Sequence, residues 1–164
     1  MLFFSALSSC TTLVPEAIVG RCEPDDTRVI AAAVQAMSGW PPAPVFESSV
    51  DLDAYADDLR KLDAADVPPR LLRSLLERNH ASATIDPGAP AQFPLATEAR
   101  EQTRQSIHVS LPGNSADGGA AVIYAGSACG PPCGQGGVVL LEQSGEAWKV
   151  ITVVQLGGRG RGRR

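Results

Sequence analysis

Four runs rich in apolar and β-branched residues follow one another between residues 106 and 156: SIHVSL, AAVIYAGS, GVVLLEQ and AWKVITVVQL. Turn-forming residues such as PGNSADGG and SGE separate them. An extended segment carries backbone amides and carbonyls that must find partners. Runs joined by such short connections are therefore held to antiparallel neighbours. SIHVSL alternates, with Ile107, Val109 and Leu111 turned to a core and Ser106, His108 and Ser110 turned to solvent. AAVIYAGS is apolar on both sides, which predicts a strand covered on both faces. In the last run Trp148, Val150 and Val154 share one side.

The first half is patterned differently. In EPDDTRVIAAAVQAMSGW, Val29, Ile30, Ala33, Val34 and Met37 recur at helical spacing. Asp25, Asp26 and Thr27 suit a helix start, and Ser38-Gly39 ahead of Pro41-Pro42 suits its end. DLDAYADDLRKLDAAD reads as helical in part. VPPRLLRSLLERNH predicts a second long helix, with Leu71, Leu72, Leu75 and Leu76 as its apolar stripe and Arg70, Arg73, Glu77 and Arg78 opposite. PPAPVFESSVD reads as loop with one short extended piece, and HASATIDPGAPAQFPLATEAR as a proline-rich surface connection. Helices first and strands after predict an α+β fold, with N-terminal helices packed on one face of a C-terminal four-stranded antiparallel meander. The expected organisation is a truncated lipoprotein signal and tether over 1–22, one α+β domain over 23–156 and a disordered Gly/Arg tail over 157–164.

The start, MLFFSALSSC, bears on compartment. Leu7-Ser8-Ser9-Cys10 resembles a bacterial lipobox, in which small residues let a peptidase reach the bond before a lipidated cysteine. The basic residues and longer apolar stretch of a secretory signal are missing ahead of it. The expectation is an exported protein, lipidated at Cys10 and anchored to the membrane through it. A buried first element with a core cysteine is the alternative.

Cys129 and Cys133 lie in YAGSACGPPCGQGG, between two of the strand-like runs. An oxidising compartment favours a local disulfide between them, closed across a hairpin tip. CGPPC is similar to the thioredoxin motif but one residue longer. Thioredoxin chemistry also needs a following helix to lower the thiol pKa, and strand-like sequence follows here. Metal binding would require Cys22 or His108 to complete a thiolate site. Free thiols are the remaining possibility. With Cys10 lipidated and the loop pair bridged, Cys22 is left odd.

AAVIYAGSACGPPCGQGGVVLLEQSGEAWKV resembles the C-terminal part of a group of uncharacterised bacterial secreted proteins and lipoproteins. The shared pattern is Tyr124, Cys129, Gly130, Cys133, Gly134 and Gly136, then Leu140, Leu141, Glu142, Gly145 and Trp148. VPPRLLRSLLERNH is similar to an upstream helix of that group ending in Arg-Asn. The resemblance covers roughly residues 67–154 and implies an envelope setting without implying an activity.

Other chemistry finds little footing. Asp51, Asp53, Asp57 and Asp58 fail the EF-hand spacing and read as a solvated face with local pairs to Arg60 and Lys61. Ser115 in GNSAD lacks a nucleophile elbow, and no Walker loop or GxGxxG appears. Net charge −4 and 5% aromatic residues argue against nucleic acid as a partner. The expected function is a non-catalytic binding or structural module of the envelope with an unknown envelope or protein partner, and no metal or other cofactor. A metal-binding or thiol-redox protein using Cys129 and Cys133 is the alternative.

Overall fold

A computed structural model describes residues 22–38, 43–96, 106–128 and 135–156. Its centre is β5 (Ala120–Ala128), paired antiparallel along its length with β6 (Gln135–Ser144). β6 pairs in turn with β7 (Ala147–Leu156) across a two-residue turn whose first member, Gly145, sits at φ 64°. That is the conformation a tight hairpin asks of glycine. On the other side of β5 lies β3 (Ser106–Val109), and beyond it β1 (Val45–Phe46) and β2 (Leu95–Ala96), which run parallel to one another. The short β4 (Gly113–Asn114) also pairs β5, which makes seven strands among the described residues.

β3 and β4 are two pieces of one path along β5, interrupted by a bulge. Val109 lies opposite Ala125 and Gly113 opposite Val122, so four steps on one strand oppose three on the other. The one extra residue falls within Ser110–Leu111–Pro112, all buried. A second bulge sits in β7. Leu140 pairs Thr152 and Leu141 pairs Val150, which leaves Ile151 without an opposite and 47% exposed. One extra residue reverses which side chains face which way. Trp148 and Val150 therefore pack on one face of the sheet and Val154 and Leu156 on the other. The expected single side for Trp148, Val150 and Val154 fails at Val154 for that reason.

Helices cover both faces. α1 (Pro24–Ser38) sets Val29, Ile30, Ala33 and Val34 against Ala121, Ile123 and Ala125 of β5 and Val139 and Leu141 of β6. On the opposite face, Leu71 and Leu75 of α3 (Pro69–Arg78) join Leu52, Leu59 and Val67 over Val122, Tyr124 and Val138. Leu59 ends α2 (Ala56–Leu59), one helical turn that follows a 3-10 turn at Asp53–Tyr55. β5 is thus buried on both sides, as its uninterrupted apolar run predicts.

The predicted α+β arrangement is corrected by this layout. The sheet is mixed, has seven strands and dominates the fold, with one long helix at its N-terminal side and two helices on its far face. β1 falls within the short extended piece expected in PPAPVFESSVD, whereas β2 and β4 are unexpected; all three are two residues each, too short for any alternation to show. They form because tertiary neighbours supply partners: Pro94 O receives the Val45 amide and Pro44 O the Ile107 amide. The proline-rich connection is likewise no surface crossing, since its Ile85 and Phe93 are buried in the α1-side core. Ser106 and Ser110, expected at the surface, are buried, and the Ser110 hydroxyl accepts the Tyr124 amide and donates to Leu111 O.

α3 meets the sheet at Gly113. A Cβ there would lie 2.6 Å from Leu75 Cα and 2.8 Å from Leu71 O. The obstacle is helix backbone, which cannot rotate away. Gly113→Ala is expected to lower unfolding free energy by about 1–3 kcal/mol in urea titration. Gly119→Ala, whose Cβ would meet only the Asp117 side chain at 3.5 Å, should stay within about 0.5 kcal/mol of the parent.

Candidate functional site

Cys10, Cys129 and Cys133 lie outside the described residues. Cys22 is described, half-buried at the foot of α1, with Sγ 3.9 Å from Glu23 O. Burial pushes its thiol pKa up, and the charges of Asp26 and Asp86 add to the rise. Such a cysteine is a thiol at neutral pH and a poor nucleophile.

The polar residues singled out by sequence are engaged in structure. Arg60 pairs with Asp57 at 3.1 Å and Lys61 with Asp58 at 3.0 Å, as the spacing predicts. Asp53 meets exposed His80 at 3.0 Å. Ser115 donates to Asp117 at 2.6 Å and accepts the Ala120 amide, which locks the turn before β5. The Ser115 hydroxyl and the Gly119 amide lower the Asp117 pKa. His108, expected at the surface, is half-buried and stacks on Phe46 with ring centroids 3.8 Å apart. No group of three His, Cys, Asp or Glu able to hold a metal ion occurs among the described residues.

Sequence reasoning placed Arg78 on the solvated side of α3. Instead it reaches inward to Asp26 of α1. Nη1 donates to Oδ1 at 2.9 Å and Nη2 to Oδ2 at 2.8 Å, and Nη1 also donates to Pro112 O at 2.6 Å. Asp26, 1% exposed, additionally accepts the Glu23 amide and so caps its own helix. Burial works against the Arg78 charge, but the hydrogen bonds and attraction of Asp26 outweigh it and raise the pKa. Next to it Asn79 is completely buried. Its Nδ2 donates to Leu75 O and Leu111 O, and its Oδ1 accepts the Leu111 amide at 2.8 Å. This cluster is a structural clasp whose donors and acceptors are matched.

Tyr124, named in the sequence pattern, lies on the α3 face over Gly136. An added Cβ at Gly136 would strike its ring, 2.9 Å from Cζ. Tyr55 packs 5.3 Å away, centroid to centroid. Burial, aided by Tyr55, pushes the Tyr124 phenol up to about 12.

Among the clefts of the described surface, two bear on the residues above. One, of about 410 Å³, lies at the end of α1 between Met37, Ile107 and Val153, with Ser127 and Gln155 as polar lining. The other, of about 370 Å³, lies along α3. Its apolar lining is Pro69, Leu72 and Leu76, and its charged or polar lining is Arg60, Arg73, Glu77 and His80. The expected four-leucine stripe of α3 is therefore divided. Leu71 and Leu75 enter the core, while Leu72 and Leu76 are half-buried along the cleft. The signal for this was present in sequence: two adjacent leucines on two successive turns make a stripe too wide for one contact. Arg78 gave no such sign.

No known protein family, curated protein or solved structure matches this chain.

Arg78→Met strands the Asp26 carboxylate in the interior and is expected to cost about 3–5 kcal/mol in chemical unfolding. Arg60→Met breaks an exposed pair and should cost under about 1 kcal/mol in the same assay. Tyr124 sets an alkaline limit. Its phenol stays protonated in the fold to about 12, against 10.0 for an unperturbed tyrosine, so the folded state binds more protons between those values. The contribution is complete below 10 and is lost as pH rises toward 12. Phenolate absorbance of the native protein should show one late-titrating tyrosine, absent from Tyr124→Phe.

Proposed function

We propose that this chain is an exported protein of the bacterial envelope, akin to the uncharacterised secreted proteins and lipoproteins its C-terminal half resembles. In this reading Cys10 is the lipidation site and membrane tether, and the sheet is a rigid, non-catalytic module that binds an envelope partner. Cys129 and Cys133 close a disulfide at the tip of the β5–β6 hairpin.

The observation that carries the reading is the register of that hairpin. β5 and β6 stay in step from Ala120 opposite Glu142 to Ser127 opposite Gln135. Cys129 comes two residues after Ser127 and Cys133 two before Gln135, so in sequence the two cysteines stand evenly about the connection, each two residues beyond the last paired position. Opposed residues of antiparallel strands bring their Cβ atoms to about 4.5–5.5 Å, near what a disulfide needs. The strand β6 following the loop also supports a staple over redox chemistry, which relies on a helix N-terminus to stabilise the thiolate.

Thiol counting tests the staple. The chain has four cysteines. Unlipidated protein prepared without reductant and unfolded in guanidinium should titrate two thiols, Cys10 and Cys22, and all four after reduction. Four thiols before reduction sink the staple and favour a thiolate site. Fractionation of the producing bacterium tests export, and a cytoplasmic location overturns the envelope assignment.

A further inference from the structure

The α3 cleft has a composition that specifies a ligand. Its volume, about 370 Å³, falls within the range of small-molecule sites. Pro69, Leu72 and Leu76 supply its apolar lining, and two arginines line it from different elements: Arg73 from α3 and Arg60 from just beyond α2. Glu77 is the one carboxylate of the lining. Arg60 is shared with Asp57 through a single Nη1 contact. Arg73 makes no ion pair among the described residues.

An inorganic anion would engage the arginines but leave the leucines wet. A hydrocarbon would cover the leucines but strip water from the guanidiniums without replacing it, which is costly. Both demands are met by one molecule with an anionic head and an apolar remainder. We propose that the α2–α3 cleft binds a single-chain amphiphile bearing a carboxylate, with the head between Arg60 and Arg73 and the chain on Leu72 and Leu76. This assignment rests on the reading of the protein as a binding module. It gives that module a ligand class and a place: the face opposite α1, outside the α3 layer.

The test uses the full chain and decanoate below its aggregation threshold, with acetate and decanol as head-only and tail-only probes. Methyl NMR signals of Leu72 and Leu76 should shift saturably with decanoate, and several-fold more weakly or not at all with either partial probe. Arg73→Gln should weaken decanoate about threefold to fivefold, the span an exposed charge contact supplies. Arg70→Gln, an exposed cation of the same helix outside the cleft, should leave affinity unchanged. Retained unfolding transitions show that both variants fold. The proposal is overturned if decanol binds as tightly as decanoate, if Arg73→Gln leaves affinity unchanged, or if the shifts map away from Leu72 and Leu76. Thiol count and cell fractionation are independent of these readouts, so failure of the ligand class and failure of the envelope assignment are told apart.

Discussion

A buried bulge exposes backbone that no strand can pair, and the fold is organised around meeting that need. Ser110–Leu111–Pro112 leaves the β3–β4 path with an amide and carbonyls at 0% exposure in Ser110 and Leu111. Each unpaired group there would cost about 1–3 kcal/mol. The Ser110 hydroxyl accepts the Tyr124 amide, Asn79 brackets both polar groups of Leu111, and Arg78 takes Pro112 O. Asn79 thus acts as a surrogate strand, pairing Leu111 much as a neighbour's backbone would. Because Asn79 and Arg78 end α3, satisfying the bulge also positions that helix. Because Arg78 continues to Asp26, the start of α1 is held by the same contact. Helix layers on opposite faces of the sheet are thus joined beside the bulge by the Arg78–Asp26 pair.

The second bulge acts at the sheet's margin. β7 is the outer strand beside β6, and ten residues of regular edge would offer a template to any other strand. Ile151 breaks that regularity at mid-length, and Lys149 adds a charge to it. The same residue switches β7 from the α1 core to the α3 core, so the strand contributes Trp148 and Val150 to one and Val154 and Leu156 to the other. One inserted residue therefore both roughens the edge and lets a half-exposed strand serve two cores.

The proposed site follows from how α3 divides its leucines. Core packing takes Leu71 and Leu75 and leaves Leu72 and Leu76 half-buried along the cleft. What remains is a lining that is partly apolar and partly cationic. The acidic run read as a solvated face has a part in this arrangement, since Asp57 and Asp53 pair with Arg60 and His80 of that lining.

What the sequence alone determined was local: helices α1 and α3, the hairpin strands β5, β6 and β7, the two-sided burial of β5 and the ion pairs of the acidic run. Each arises from a periodicity, a turn residue or a spacing of three, and these act over a few neighbours. Tertiary structure alone decided the mixed sheet, the inward turn of Arg78, the burial of Ser106 and Ser110 and the change of face within β7. Two-residue strands have no period to read. A charged or hydroxyl side chain reveals its partner only when a group 52 residues away, as with Arg78 and Asp26, arrives beside it. A bulge is invisible in one strand because it exists only as a mismatch with another. Each of these outcomes depends on elements distant in the chain, and the sequence states their chemistry without stating their meeting.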